Sequence, residues 1–248
     1  MKLGIIIFYG VPGSYVCGRW CAQVAYENIL KTIVEPNMDT HKFMYAVSTE
    51  EVSEEFIRSI YNKNNKLYKL SFVSLQRPIP RAYSGRDGTP YFRIYDFIKK
   101  TDLSMFDLVV TMRIDATLSR PIILADEYRE KDFINPSGSL VRPGDFHNRD
   151  HSSVTISDVS SLTLWFETMF FHPGPSVDLD TIEKYKKEYG LKGDSDPLEF
   201  WNCLHEIVMK GYNYKMLEDT NLIWSVPSCM QHGKPWPLID FRGDWPVY

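Results

Sequence analysis

No stretch of this chain is both apolar and long enough to cross a bilayer; the first nine residues carry only a short apolar run, with no small-residue cleavage site behind it. Excess positive charge is also missing: the formal net charge is -4, so no global attraction to nucleic acid is expected. Cysteine is sparse, at four in 248 residues. Cys17 and Cys21 stand four apart and Cys203 precedes His205 by two, which is not the tight paired spacing of a zinc site. Free thiols in a reducing compartment fit better, and a cytoplasmic protein without its own anchor is expected. Three nucleotide and nucleophile signatures are absent as well. Gly10-Val11-Pro12-Gly13 lacks the spacing of a dinucleotide fingerprint, and neither a G-x-x-x-x-G-K-[ST] loop nor a G-x-S-x-G elbow occurs. These absences count against NAD, P-loop ATP and serine-hydrolase chemistry.

What is present is a core-forming chain. Hydrophobic residues make up 44% and charged residues 24%, the balance of a globular domain. Aromatics reach 14%, with 15 Tyr and 6 Trp, rings that suit core packing and also stacking on sugars or bases. The length is ordinary for one α/β domain, so a single domain spanning residues 1–248 is expected.

Along the chain, residues 3–9 read as a buried strand ending at the turn Gly10-Val11-Pro12-Gly13-Ser14. A helix is predicted from Arg19 to Val34, stopped by Pro36, and a strand over His41–Val47. Ser48-Thr49 followed by Glu50-Glu51 reads as a cap with an acidic first turn, opening a helix to about Tyr61. A strand is predicted at Leu70–Leu75, then an exposed loop Gln76–Pro90 with Arg77, Arg81 and Arg86, leading into a helix from Tyr91 to Lys99 that holds Arg93. Phe106–Met112 is the clearest central strand, closed by Arg113-Ile114-Asp115. Pro121–Leu124 reads as a further strand, and 135–151 as irregular. Val154–Ser157 is predicted as strand; Val159–Phe170, Asp180–Tyr189 and Pro197–Lys210 as helices. The last 25 residues hold four Pro and three Trp and are expected to be irregular. Alternating strands and helices imply a mostly parallel central sheet covered on both faces. Ligands of such sheets bind beyond the carboxyl ends of the strands, which here means Gly10-Val11-Pro12 and Arg113-Ile114-Asp115.

Three constellations could carry chemistry. In Arg113-x-Asp115 the two side chains share a face at a strand end, where they can meet a diphosphate and the Mg²⁺ or Mn²⁺ that bridges it, or else pair with each other. The literal triplets Asp178-Leu179-Asp180 and Asp194-Ser195-Asp196 precede helices and read as caps. Asp145 to His151, with Ser157-Asp158 close behind, packs titratable groups into a loop. There His147, Asp150 or Asp158 could act as a base, or the segment could be a solvated turn. Gln231-His232-Gly233-Lys234-Pro235-Trp236 offers a metal ligand, a cation and an aromatic lid, or a plain proline-rich tail.

The opening KLGIIIFYGVPGS, the strand FDLVVTMRID and the later FHNRDHSSVTISD together resemble small GT-A type glycosyltransferases, such as those of large DNA viruses of algae and bacterial capsule-type relatives. The likeness lies in the order and spacing of three patches over residues 1–170. It implies a GT-A-like α/β domain, with residues 1–115 binding a nucleotide-diphosphate sugar and 116–248 binding a glycan or glycoprotein acceptor. A viral protein of this kind would work in the host cytoplasm. By the same likeness Asp115 is a metal or donor ligand, Arg113 a donor contact, and Gly10 and Val11 border the nucleotide base. The tail is similar to the His-x-x-Gly-x-x-Lys-Pro-Trp signature of glycogenin-like transferases, in which the His binds metal and the Lys diphosphate. That implies His232 as metal ligand and Lys234 as donor contact. Here His232 and Gly233 are adjacent, and the central motif is Arg-x-Asp where the common form has two Asp; Asp107 or His232 would then complete the ligand set. An inverting reaction would use Asp150 or Asp158 as base. The alternatives are a sugar-nucleotide nucleotidyltransferase, against which the turn Gly10–Ser14 lacks a basic residue, and an inactive sugar-binding protein on the same fold.

Overall fold

The structure, a computed structural model, describes residues 1–9, 25–50, 54, 55, 58, 70–76, 88–114, 118, 120–136, 154–171, 177–191 and 198–217. Its backbone is a seven-stranded sheet with helices on both faces: α/β, as expected. The strands are β1 (Lys2–Tyr9), β2 (His41–Glu50), β3 (Leu70–Gln76), β4 (Leu108–Arg113), β5 (Asp132–Pro136), β6 (Val154–Ser157) and β7 (Asn213–Leu217). Across the sheet they run β3-β2-β1-β4-β6-β5-β7. All described pairings are parallel except those of β6, which runs against both β4 and β5.

β1 is central because its sequence can be nowhere else. Ile5, Ile6, Ile7, Phe8 and Tyr9 are all fully buried, Ile6 and Phe8 in one core and Ile5, Ile7 and Tyr9 in the other. A strand apolar on both faces has to be covered on both, and each such side chain contributes roughly 1.5–3 kcal/mol of burial.

The first core lies under the helical segment 25–37 and the stretch 118–128. That segment is α-helical to Ile29, widens to a π-turn over Leu30–Val34 and tightens to a 3₁₀ turn at Glu35–Asn37, with Pro36 near its start. Two buried asparagines on it act as substitute backbone. Asn28 donates to the Leu118 carbonyl and accepts from the Leu118 amide, at 2.9 and 2.7 Å. Asn37 donates to the carbonyls of Ile33 and Ile122 and accepts from the amide of Leu124. Residues 121–123 therefore run irregularly into α2 (Leu124–Glu127), not as the strand expected at Pro121–Leu124. The Asn side chains supply the bonds that a ladder would have supplied.

The second core is covered by α1 (Gly88–Lys100), α3 (Val159–Phe171), α4 (Leu179–Tyr189) and α5 (Leu198–Met209). α1 begins three residues before the predicted Tyr91, which leaves Pro90 in the first turn, where no amide partner is needed. α3 seats Trp165 flat on Phe133 of β5, with ring centroids 4.6 Å apart. Cys203 of α5 is buried, its thiol donating to the Trp165 carbonyl at 3.3 Å. Cys17, Cys21 and Cys229 lie outside the described residues.

Ser48, Thr49 and Glu50 correct another expectation. They do not cap a helix but extend β2 to Glu50, between Tyr9 of β1 and the end of β3. Ser48 and Thr49 are fully buried, and strand pairing, on both sides for Ser48 and with β3 for Thr49, overrides their capping preference. Residues 54, 55 and 58 are helical beyond it. Asp178, by contrast, caps α4 as expected: its carboxylate accepts from the Thr181 amide at 2.7 Å, and Gly190 closes the helix in the left-handed region.

Candidate functional site

Chain order and spatial order diverge at one place. From β1 the chain moves outward through β2 and β3, then returns to the other flank of β1 as β4. The carboxyl ends of β1 and β4 thus form a topological switch point, where open α/β sheets leave a crevice for ligands. Register makes it specific. Ser48, Tyr9 and Arg113 form one row across β2, β1 and β4. The Ile114 amide donates to the Tyr9 carbonyl at 2.8 Å, so the pairing runs to the last described residue of this segment. Tyr9 belongs to the second core, which puts Arg113, its bridge partner, on the same face; Arg113 is half-buried and Ile114 is buried on the opposite face.

Helix α1 lies over this row. The Ser48 hydroxyl donates to the Arg93 carbonyl at 3.1 Å, which pins this turn of α1 at the carboxyl edge of the sheet. Arg93 itself is only 2% exposed. It shares the sheet-facing stripe with Ile94, Phe97 and Ile98, and burial pulls its guanidinium down to about 10, still charged at neutral pH. The sequence places Arg93 on the helix predicted from Tyr91 to Lys99 and gives it no role there. The signal available was its spacing: four residues before Phe97, it occupies an apolar position of an amphipathic helix.

Of the expected site residues, the structure describes three, Arg113, Asp158 and Asp107, and it brings neither carboxylate to Arg113. β6 runs antiparallel to β4, so Val109 faces Ser157 and Asp158 emerges at the amino edge. Four residues separate Val109 from Arg113, roughly 13 Å along a strand. Asp158 there caps α3, its carboxylate accepting from the Ser161 amide at 2.8 Å while its carbonyl accepts from the Ser161 hydroxyl. With burial, it also helps raise the phenols of Tyr128 and Tyr212. A base must lie within hydrogen-bond reach of the proton it removes, and Asp158 stands at the wrong end of the sheet for a ligand at Arg113.

Asp107 is also remote from Arg113. It precedes β4 at the amino edge, where its carboxylate accepts from the Leu3 amide and its own amide donates to the Leu3 carbonyl, both at 2.8 Å. It locks the register of β1 on β4. Gly10, Val11, Asp115, His147, Asp150, His232 and Lys234 lie outside the described residues, as do Asp194 and Asp196. Among the described residues no group of three His, Cys, Asp or Glu side chains is placed to hold a metal ion. His205 pairs its Nδ1 with the Tyr185 hydroxyl at 2.9 Å. No described helix is long and apolar enough to cross a membrane.

No protein-family model and no curated protein matches the chain. Among solved structures it is similar to the galactosyltransferase LgtC in complex with donor and acceptor sugar analogs, with a TM-score of 0.45 and 11% identity over 85% of this chain and 72% of that one. An active-site mutant of LgtC gives 0.46 and 9% over 86% and 72%. Neither is described as a viral protein. The chemistry has to be read from the chain's own residues.

Proposed function

We propose that the chain is a GT-A type glycosyltransferase that moves a sugar from a nucleotide-diphosphate donor to a glycan or glycoprotein acceptor. The observation that carries this reading is the pairing of Arg113 with Tyr9 at the switch point between β1 and β4. It supports a guanidinium at the mouth of the crevice where such sheets take nucleotides, and a guanidinium matches phosphate oxygens two at a time. A leaving nucleoside diphosphate gains negative charge as the sugar departs, and a fixed cation stabilises that charge without reorganising.

In this reading residues 1–115 hold the donor, with Gly10 and Val11 beside the base and Arg113 and Lys234 on the diphosphate. Residues 116–248 meet the acceptor, and Asp150 serves as base if the reaction inverts. A divalent cation, Mn²⁺ or Mg²⁺, would be held by Asp115 and His232 and would supply Lewis-acid stabilisation of the departing diphosphate. Arg113 orients the donor with or without it.

The test is a thermal-shift screen of nucleotide sugars with and without Mn²⁺. A ligand at a hundred times its dissociation constant adds about 2.7 kcal/mol of stability, visible as a raised melting point. Asp115→Ala is expected to remove the metal-dependent part of that shift. Failure of every nucleotide sugar to raise the melting point removes the reading.

A further inference from the structure

We propose that His41 is an acid-operated latch at the amino edge of the sheet, far from the donor crevice and independent of it. Neutral, the ring holds the start of β2 against the start of β1; protonated, it lets those first rungs open ahead of the rest. The argument starts at Thr40, whose hydroxyl donates to the Asn37 carbonyl at 3.2 Å and so uses its one proton. Toward His41 the same oxygen can only accept, and it lies 2.9 Å from Nδ1. The ring proton therefore sits on Nδ1, and the bare lone pair sits on Nε2. That Nε2 is buried and has no hydrogen-bond partner among the described residues. The same turn ties the two strands together. The Thr40 amide donates to the Asn37 carbonyl at 3.1 Å, and the Thr40 carbonyl accepts from the Lys2 amide at 2.9 Å. His41 opposes Lys2 as the first pair of the β1–β2 ladder, and its ring stacks on Phe43 with centroids 5.9 Å apart.

Protonation changes two things at once. It adds an N–H at Nε2 where nothing accepts it, and it encloses a charge in a residue only 7% exposed. An unmade buried donor and an unpaired buried charge are both costly, and fraying into water relieves both. The charged groups that face the ring are Lys2 and the amino terminus, which repel a second cation, and Asp107, which attracts it. Asp107 is already engaged, its carboxylate accepting from the Leu3 amide at 2.8 Å. Burial and the two cations outweigh its pull, so the closed edge takes the proton less readily than a frayed one. Below the ordinary histidine value of about 6.5, falling pH therefore favours the open edge. The opening is local because the next rungs are held separately. Asp107 clamps Leu3 through both its carboxylate and its own amide, and Ile5 to Tyr9 are fully buried.

Nuclear magnetic resonance on the nitrogen-labelled wild-type chain and on His41→Gln tests this. Imidazole nitrogen spectra above neutral pH should show the Nδ1–H tautomer of His41; the Nε2–H tautomer overturns the proposal. Amide hydrogen exchange, corrected for intrinsic rates, is then followed from above neutral pH down to about 5. The reporters are Lys2 and Thr40 at the edge, and Ile6 and Val110 in the centre. Edge protection is expected to lie well beneath central protection. It should fall severalfold to about tenfold across one pH unit below the ordinary histidine value, tenfold being the ceiling for one proton. His41→Gln should remove that fall. Edge protection equal to that of Ile6 and Val110 overturns the proposal, because the edge then opens only with the whole sheet. So does a fall that persists in His41→Gln. If that variant does not fold, the wild-type chain decides alone. A fall that follows the ring's own titration, read from its carbon-bound protons, supports the latch, and one at any other pH overturns it.

Discussion

Tyr9 and Arg113 are bridge partners across β1 and β4, and the Tyr9 carbonyl accepts the amide of the residue after Arg113 at 2.8 Å. The pairing holds a cation where the direction of the chain's excursion across the sheet reverses. Arg113→Ala is expected to lower affinity for the preferred nucleoside diphosphate by roughly tenfold or more, the worth of a charge-assisted hydrogen bond. Titration calorimetry measures it. Unchanged affinity takes Arg113 out of the site.

Asp158 separates capping from catalysis. Asparagine caps helices about as well as aspartate, whereas alanine loses about 1 kcal/mol. Asp158→Asn is expected to keep both stability and transfer rate, and Asp158→Ala to lose stability while the folded fraction turns over normally. Urea unfolding beside initial-rate measurements decides it. A rate drop of a hundredfold in the Asn variant would restore Asp158 as the base.

Gly4 is required by close approach. It pairs with Phe43 on β2, and a methyl group there would come within 2.7 Å of the Phe43 ring. Gly4→Ala is expected to destabilise the chain by about 1–3 kcal/mol. In a Phe43→Ala background the cost should vanish or change sign, because Ala is otherwise the better strand residue. A double-mutant cycle read by urea denaturation checks the coupling.

His41 gives the fold a pH dependence. Burial first, then Lys2 and the N-terminus, hold its imidazole below the ordinary value, against the opposing pull of Asp107. Its Nδ1 lies 2.9 Å from the Thr40 hydroxyl. The unfolded chain takes up this proton near the ordinary value of about 6.5, and the folded chain only at lower pH. The stability is present above that value and declines as pH falls through the window beneath it. His41→Gln should flatten the slope of stability against pH in that window, followed by thermal melts between pH 7 and pH 5. An unchanged slope shows that the titration belongs elsewhere.

The strands and helices with a strong local signal were legible in the chain itself. β1 and β4 are nearly continuous apolar runs, and α3, α4 and α5 carry helical spacing with recognisable ends. β5 and β7 were missed because each is only five residues long: DFINP has no alternation and NYKML has just two alternating apolar positions, Tyr214 and Met216. They are strands because β5 pairs with β6 on one side and with β7 on the other, and Asp132 and Lys215 form an ion pair across β5 and β7. The place of Arg113 at a strand end was legible in the sequence, and the degree to which Arg93 is enclosed shows only where its helix packs on the sheet.

Local residue pattern by itself determined that this is an α/β chain whose first and fourth strands end in candidate ligand-binding turns, since periodicity and turn chemistry act within a few residues. Tertiary structure decided which of those ends are neighbours and which carboxylates face away. Strand order and the reversed direction of β6 depend on contacts between residues far apart in sequence, and these put Arg113 beside Tyr9 and sent Asp158 to the opposite edge.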